Sequence, residues 1–203
     1  MFPYPTIVTP PSVYWMSFLT LYRDLDESLR YVNPSRDNFK VYSIRFYELL
    51  LRAATEFESL CKEKVVELKL SEANPKNFNI YDYYRIEGHL EKKPSKVSIG
   101  FLFPEVLFIS PFDGWKQSHE LGWYQNYNAV KHNRVDNFHL ANFENALKSI
   151  GAFFIMLDAF DICPPGNFSF LGSKGEMERI KSNDKWPVVL KKEYWSDSGN
   201  SLP

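Results

Sequence analysis

Leu140-Ala141-Asn142-Phe143-Glu144-Asn145-Ala146-Leu147-Lys148-Ser149-Ile150-Gly151-Ala152-Phe153-Phe154-Ile155-Met156-Leu157 is the stretch that decides the fold. Leu140, Phe143, Leu147, Ile150, Phe154 and Leu157 recur at alternating spacings of three and four, the repeat of one face of an α-helix. No other segment of the chain is as regular. Asp136-Asn137 offers a cap in front of it, and Cys163-Pro164-Pro165-Gly166-Asn167 ends it, because proline cannot continue the hydrogen-bond ladder. A helix with so apolar a face needs other helices to cover it.

Those helices are legible upstream. Ser12 caps a first helix whose stripe is Trp15, Phe18, Tyr22, Leu25, Leu29 and Val32, stopped by Asn33-Pro34-Ser35. A second runs from about Val41 to Leu68 with the stripe Tyr42, Phe46, Leu49, Leu50, Ala53, Phe57, Leu60 and Cys61. Glu48, Arg52 and Glu56 lie one turn apart along its polar side and can pair. Asn74-Pro75-Lys76-Asn77 is a turn, and Asn79 to Ile86 suits a short helix. Val97, Ile99, Phe101 and Phe103 alternate with Ser98, Gly100 and Leu102, and Val106 to Ile109 follows Pro104-Glu105. That predicts a small β-hairpin inserted near 97–110 and closed by Pro111-Phe112-Asp113-Gly114-Trp115. A further helix begins near Gly122. The fold class is therefore mainly α, a helical bundle of about four long helices with a small β-hairpin insertion. One domain covers 1–171, opened by a Pro-rich extended arm over 1–11. Residues 172–203 read as a C-terminal tail with a strand-like or docking segment at Trp186-Pro187-Val188-Val189-Leu190.

The composition narrows the function classes. The chain has 203 residues, enough for one sizeable core, and its 17 Phe, 12 Tyr and 5 Trp make that core aromatic. A net charge of -1 provides no global basic field for nucleic acid, so any such role rests on a local cluster. Cys61 and Cys163 stand far apart in apolar runs and read as small buried thiols, with neither a disulfide framework nor a four-ligand zinc site. The N-terminus lacks the charged region and cleavage site of a signal peptide, and the apolar stretch near Ile150 to Phe160 is too short to span a bilayer. A cytoplasmic location with no membrane association is the simplest expectation. His132, Asp136 and His139 would share a face only if one helix continued through Asp136-Asn137, so no metal site and no cofactor is expected. His89 and His119 fall in loops, and no Gly-rich phosphate loop, Gly-x-Ser-x-Gly elbow or Cys-x-x-Cys pair is present.

The candidate site is Trp123-Tyr124-Gln125-Asn126-Tyr127-Asn128-Ala129-Val130-Lys131-His132-Asn133-Arg134. On a helix, Tyr124, Asn128 and His132 follow one another at steps of four, and Tyr127 and Lys131 make a phenol–ammonium pair at the same spacing. An imidazole can exchange a proton near neutral pH, and Lys131 and Arg134 can hold a phosphate or stabilise an anionic transition state. Such a set suits metal-independent RNA cleavage, in which a 2′-hydroxyl attacks the adjacent phosphate. The same residues also admit a structural role: His132 as a helix C-terminal residue bonding carbonyls, Asn128 as an amide bridging two helices. His132, Asn128, Lys131 and Arg134 are thus the catalytic candidates. Tyr124, Tyr127, Trp123 and Arg52 are the binding candidates, with exposed aromatics expected near Trp115, Trp123 and Tyr124.

The Asn128-x-x-x-His132 element, lying between a long amphipathic helix and a long apolar one, resembles the HEPN superfamily of all-helical domains. The resemblance covers roughly 41–68 and 122–161. It implies a four- or five-helix bundle that forms a homodimer, acting in bacterial defence, toxin–antitoxin or CRISPR-associated systems, either as a metal-independent ribonuclease or as a binding module that has lost activity. The family motif is Arg, a polar residue, a few more positions, then His. Asn128 matches the polar residue and His132 the His, but Tyr127, Asn126 and Gln125 stand where the Arg would be. Arg45 or Arg52 of the second helix, or Arg134, would have to replace it. The resemblance with the Arg missing implies a non-catalytic HEPN-like binding or regulatory module with RNA or a protein as partner; the alternative is a HEPN-type endoribonuclease using His132. The wider layout, Tyr42-Ser43-Ile44-Arg45-Phe46-Tyr47-Glu48-Leu49-Leu50, Pro111-Phe112-x-x-Trp115 and Trp123-x-x-x-Tyr127-Asn128-x-x-Lys131-His132-x-Arg134, is also similar to a bacterial protein family of unassigned activity.

Overall fold

The computed structural model describes residues 12–91, 93–101, 107–116 and 121–162. The N-terminal arm, the far end of the predicted hairpin, His119, Cys163 and the tail from 172 lie outside the described residues. Four helices carry the bundle: α1 (Val13–Leu29), α2 (Ile44–Glu67), α4 (Gly122–His132) and α6 (Phe143–Ala159). Two short ones, α3 (Ile80–Tyr84) and α5 (Arg134–Asn137), and single 3-10 turns join them. Strands β1 (Ile99–Phe101) and β2 (Leu107–Ile109) pair antiparallel, with Ile99 opposite Ile109, inside the insertion that the alternating pattern predicts.

Each long helix starts where the sequence offers a cap or a corner. Ser12 Oγ accepts from Trp15 N and Ser43 Oγ from Phe46 N, both at the first turn, where the backbone donors lack intrahelical partners. α3 opens on a full capping box in which Asn79 and Asp82 exchange side-chain and backbone bonds. After the hairpin, Gly114 takes φ 74, a left-handed conformation, and Trp115 N donates back to Phe112 O, turning the chain toward α4.

α2 packs along α6, and α1 and α4 flank that pair. The stripes meet in one aromatic core: Phe18 lies 4.9 Å from Phe154, Phe46 5.1 Å from Phe143, and Phe57 5.4 Å edge-on to Trp123. Each such ring, fully buried, contributes about 1.5–3 kcal/mol of burial energy. α6 is covered on every side from Ser149 to Leu157, rather than on the single stripe that its periodicity implies. It is the central helix, and its buried polar residues are satisfied: Asn145 Nδ2 donates to Leu140 O in the preceding turn and Ser149 Oγ to Ala146 O within the helix.

Two boundaries differ from the sequence-based expectation. α2 begins at Ile44, not Val41, because Phe143 N donates to Val41 O at 2.8 Å and Tyr42 bridges Asn142. That backbone pairing holds 41–42 extended and leaves Ser43 as the cap. α6 begins at Phe143 with Asn142 as its cap, since Asn142 Oδ1 accepts from Asn145 N; Asp136-Asn137 instead belong to α5.

Candidate functional site

α4 presents Trp123, Tyr124, Tyr127 and Val130 to the core. Trp123 Nε1 donates to Pro111 O at 2.9 Å, anchoring the helix start to the hairpin exit. Asn126 Nδ2 donates to Asn145 Oδ1 at 3.4 Å, so the amide that bridges to α6 is Asn126 and not Asn128.

The hub of the cluster is a residue that the local pattern does not reveal, Glu58 of α2. Tyr124 OH donates to its Oε1 at 2.6 Å and Tyr127 OH to its Oε2 at 3.2 Å. Lys131 Nζ donates to Tyr127 OH at 2.9 Å, lies 3.7 Å from Glu58 Oε2, and sits 4.9 Å from the centre of the Tyr127 ring. The phenol–ammonium pair expected from the spacing of four therefore forms, but it closes on a carboxylate of another helix. Glu58 lies beside the buried stripe of Phe57, Leu60 and Cys61, and its phenol partners are 66 and 69 residues away. A carboxylate flanking an apolar stripe was the one sequence signal available.

The electrostatics follow from this geometry. Burial, and then the Glu58 carboxylate, push the Tyr124 hydroxyl well above the usual phenol range, and do the same to Tyr83. Tyr127 is also raised, by burial first; Lys131 pulls the other way and Glu58 adds to the rise. Lys131 is held above the usual lysine value, because the Tyr127 and Glu58 oxygens outweigh its partial desolvation. These phenols stay protonated and the ammonium stays charged, which is the state that binds helices together and not one poised to move protons at neutral pH.

The remaining candidates are dispersed. His132 is exposed at the end of α4 with half-buried Asn128 one turn before it, and neither makes an ion pair or side-chain hydrogen bond among the described residues. α4 ends there because the chain turns at Asn133, whose side chain caps α5. Arg134 stacks its guanidinium over Tyr47 at 4.7 Å and over Phe138 at 5.8 Å. The two arginines of α2 face α1 instead of α4: Arg52 and Arg45 both bond Asp24, and Arg45 also reaches Glu27 and Glu48. Burial opposes this, but the two guanidiniums hold the Asp24 carboxyl below its ordinary value. Trp115, Trp123 and Tyr124 are each at most 6 % exposed, which corrects the expectation that they mark a contact surface: their rings are core, packed on Phe57, Phe112 and Tyr84.

Two surface hollows open elsewhere. One, of about 330 Å³, lies between α1 and α2 and is lined by Ser17, Thr20, Arg52 and Thr55; the other, of about 420 Å³, lies by Tyr84, Arg85, His89 and Lys93. His132 lines neither. Among the described residues no three His, Cys, Asp or Glu side chains gather closely enough to hold a metal ion, and no helix is long and apolar enough to cross a membrane. No family model, no curated protein and no solved structure matches the chain.

Proposed function

We propose that the chain is a HEPN-like binding or regulatory module without chemistry of its own, a homodimer of the kind that serves bacterial defence or toxin–antitoxin systems and takes RNA or a protein as partner. A fold alone does not assign a function, so the reading rests on the site. The observation that carries it is the closed network of α4. Lys131, the cation nearest in sequence to His132, is spent on Tyr127 and Glu58. Of the three replacements for the absent motif arginine, Arg45 and Arg52 are spent on Asp24, and Arg134 lies over the Tyr47 and Phe138 rings. An exposed imidazole without an assembled phosphate-binding group lacks the electrostatic stabilisation on which phosphoryl chemistry depends.

The ribonuclease reading keeps one observation in its favour: His132 is accessible, with Asn128 on the same helical face. The test is incubation of the purified chain with total cellular RNA, beside His132→Ala and with EDTA present. Intact RNA in every lane supports the module. Discrete fragments that vanish in His132→Ala and persist in EDTA give the ribonuclease.

A further inference from the structure

The hollow of about 420 Å³ beside α3 gathers basic side chains that the rest of the fold leaves unpaired. Its wall is built outward from the end of α2. Lys69 takes φ 54, Lys69 N donates to Val66 O and Leu70 N to Val65 O, the paired bonds of a Schellman close. That turn fixes the Leu70 carbonyl, which accepts from Arg85 Nη1 at 3.1 Å. Arg85 opens the 3-10 turn Arg85–His89, and its own carbonyl lies 3.3 Å from His89 Nδ1. A carbonyl only accepts, so Nδ1 carries a proton and Nε2 is left for another partner. Lys93, also in the lining, precedes the 3-10 turn Pro94–Lys96, which is held because Ser95 N and Oγ both donate to Glu87. Tyr84 adds a half-buried ring, set nearly perpendicular to Trp115 at 5.5 Å.

We propose that this hollow binds the phosphate group of a small ligand, gripped by Arg85, His89 and Lys93. The proposal goes beyond the module reading and does not depend on it, since these residues lie outside 41–68 and 122–161, the stretches that resemble the HEPN superfamily. Arg85 and Lys93 enter no ion pair among the described residues, and the guanidinium keeps its remaining donors beyond the bond to Leu70 O. Glu87 is the one carboxylate among the described lining residues. It is 6 % exposed, and its oxygens accept from Ser95 N at 3.3 Å and from Ser95 Oγ. Exposed Glu91, two residues before Lys93, makes no ion pair with it. The donor set favours phosphate over carboxylate. A carboxylate brings two oxygens in one plane, whereas a phosphate monoester brings three acceptor oxygens and up to two charges, enough for a guanidinium, an ammonium and an imidazole together. His89 Nε2 donates to such an oxygen when the ring is charged, and when neutral it accepts from a phosphate hydroxyl, which an ionised carboxylate does not have. The volume falls in the range of about 300–1,000 Å³ usual for small-molecule sites, while a nucleic-acid strand needs cations in a run along its backbone.

The isotope-labelled full chain is titrated at constant ionic strength with inorganic phosphate, adenosine monophosphate, acetate and a uridine-rich RNA oligonucleotide. Amide shifts are followed together with the Trp115 indole Nε1–H, a buried donor without a partner that belongs to the ring beside Tyr84. Inorganic phosphate and adenosine monophosphate are expected to shift residues 84–89 and 93 saturably and to bind at least about tenfold more tightly than acetate. Arg85→Gln and Lys93→Gln should each weaken that binding by about five- to tenfold, and Lys40→Gln, an exposed cation elsewhere on the surface, should leave it unchanged. Equal affinity of the two phosphates identifies the free anion as sufficient, and tighter binding of the nucleotide adds stacking on Tyr84; both support the site. Lys93 is exposed and makes no side-chain bond among the described residues, so Lys93→Gln tests the site even where Arg85→Gln loosens the anchor at Leu70, and unperturbed amides of α6 report that the variants are folded. Shifts that rise without saturating, shifts confined to other residues, acetate binding as tightly as phosphate, unchanged affinity in Lys93→Gln, or binding here by the oligonucleotide but by neither small phosphate would each overturn the proposal.

Discussion

Tyr124→Phe isolates the contact that holds α4 on α2. The ring is 6 % exposed and keeps its packing on Phe57 and Tyr127, so the substitution removes one bond and little else. That bond is short, 2.6 Å, and charge-assisted, and hydrogen bonds to charged groups contribute about 1.5–3 kcal/mol. Glu58 is 23 % exposed and retains Tyr127 and Lys131, so water and the remaining partners recover part of the loss. The lower half of the range, about 1.5–2 kcal/mol, is expected. For a chain of this size that is about 3–8 °C in Tm. Urea unfolding of wild type, Tyr124→Phe, Glu58→Gln and the double variant closes a thermodynamic cycle, in which the two single losses should exceed the double loss by about 1 kcal/mol through their shared bond. A Tyr124→Phe protein within about 0.3 kcal/mol of wild type, or strictly additive losses, would refute the network as the clamp.

Other consequences are read from the same packing. The raised hydroxyls of Tyr83, Tyr124 and Tyr127 keep protons in the folded state that the unfolded chain releases near pH 10, so their contribution is intact below that pH and is lost as pH climbs toward the folded values; the unfolding free energy read from urea titrations should fall above about pH 10, by up to about 1.4 kcal/mol per pH unit for each tyrosine. A Cβ on Gly151 would run into Ile99 Cδ1 and Pro111 Cγ, and since the proline ring cannot turn away, Gly151→Val should cost about 2–3 kcal/mol in the same unfolding assay. Asn142→Ala removes the cap of the central helix and should cost about 1 kcal/mol, with faster amide exchange in the first turn of α6.

The helices were legible because their instructions are local. The stripes of α1 and α6 and the cap at Ser12 are set by neighbours three and four residues away, which a single sequence displays. The hairpin was legible for the same reason, through alternation at Val97, Ile99 and Phe101. What failed was anything fixed by distant partners. Val41 and Tyr42 carry helix-compatible side chains, yet their backbone is claimed by Asn142 and Phe143, a hundred residues on. Asn126 took the bridging role expected of Asn128, because Asn145 of α6 faces the former. The polar stretch of α4 stands out in the sequence as a candidate site, but the packing of its tyrosines and lysine turns on Glu58, whose bonds to Tyr124 and Tyr127 span 66 and 69 residues. Spacing along α4 put the phenol beside the ammonium; only the tertiary fold shows that a carboxylate closes them into a bracket.

The most direct test of the central claim is whether His132 does chemistry. End-labelled RNA incubated with excess protein in EDTA, and examined for 2′,3′-cyclic phosphate ends, reads the one bond rearrangement that a metal-independent cleavage must leave. The account predicts no such ends above the level of His132→Ala. Cyclic-phosphate fragments formed by the wild type and absent with His132→Ala would contradict it, and would require Asn128, Arg134 or a second copy of the chain to complete a site that the α4 network leaves open.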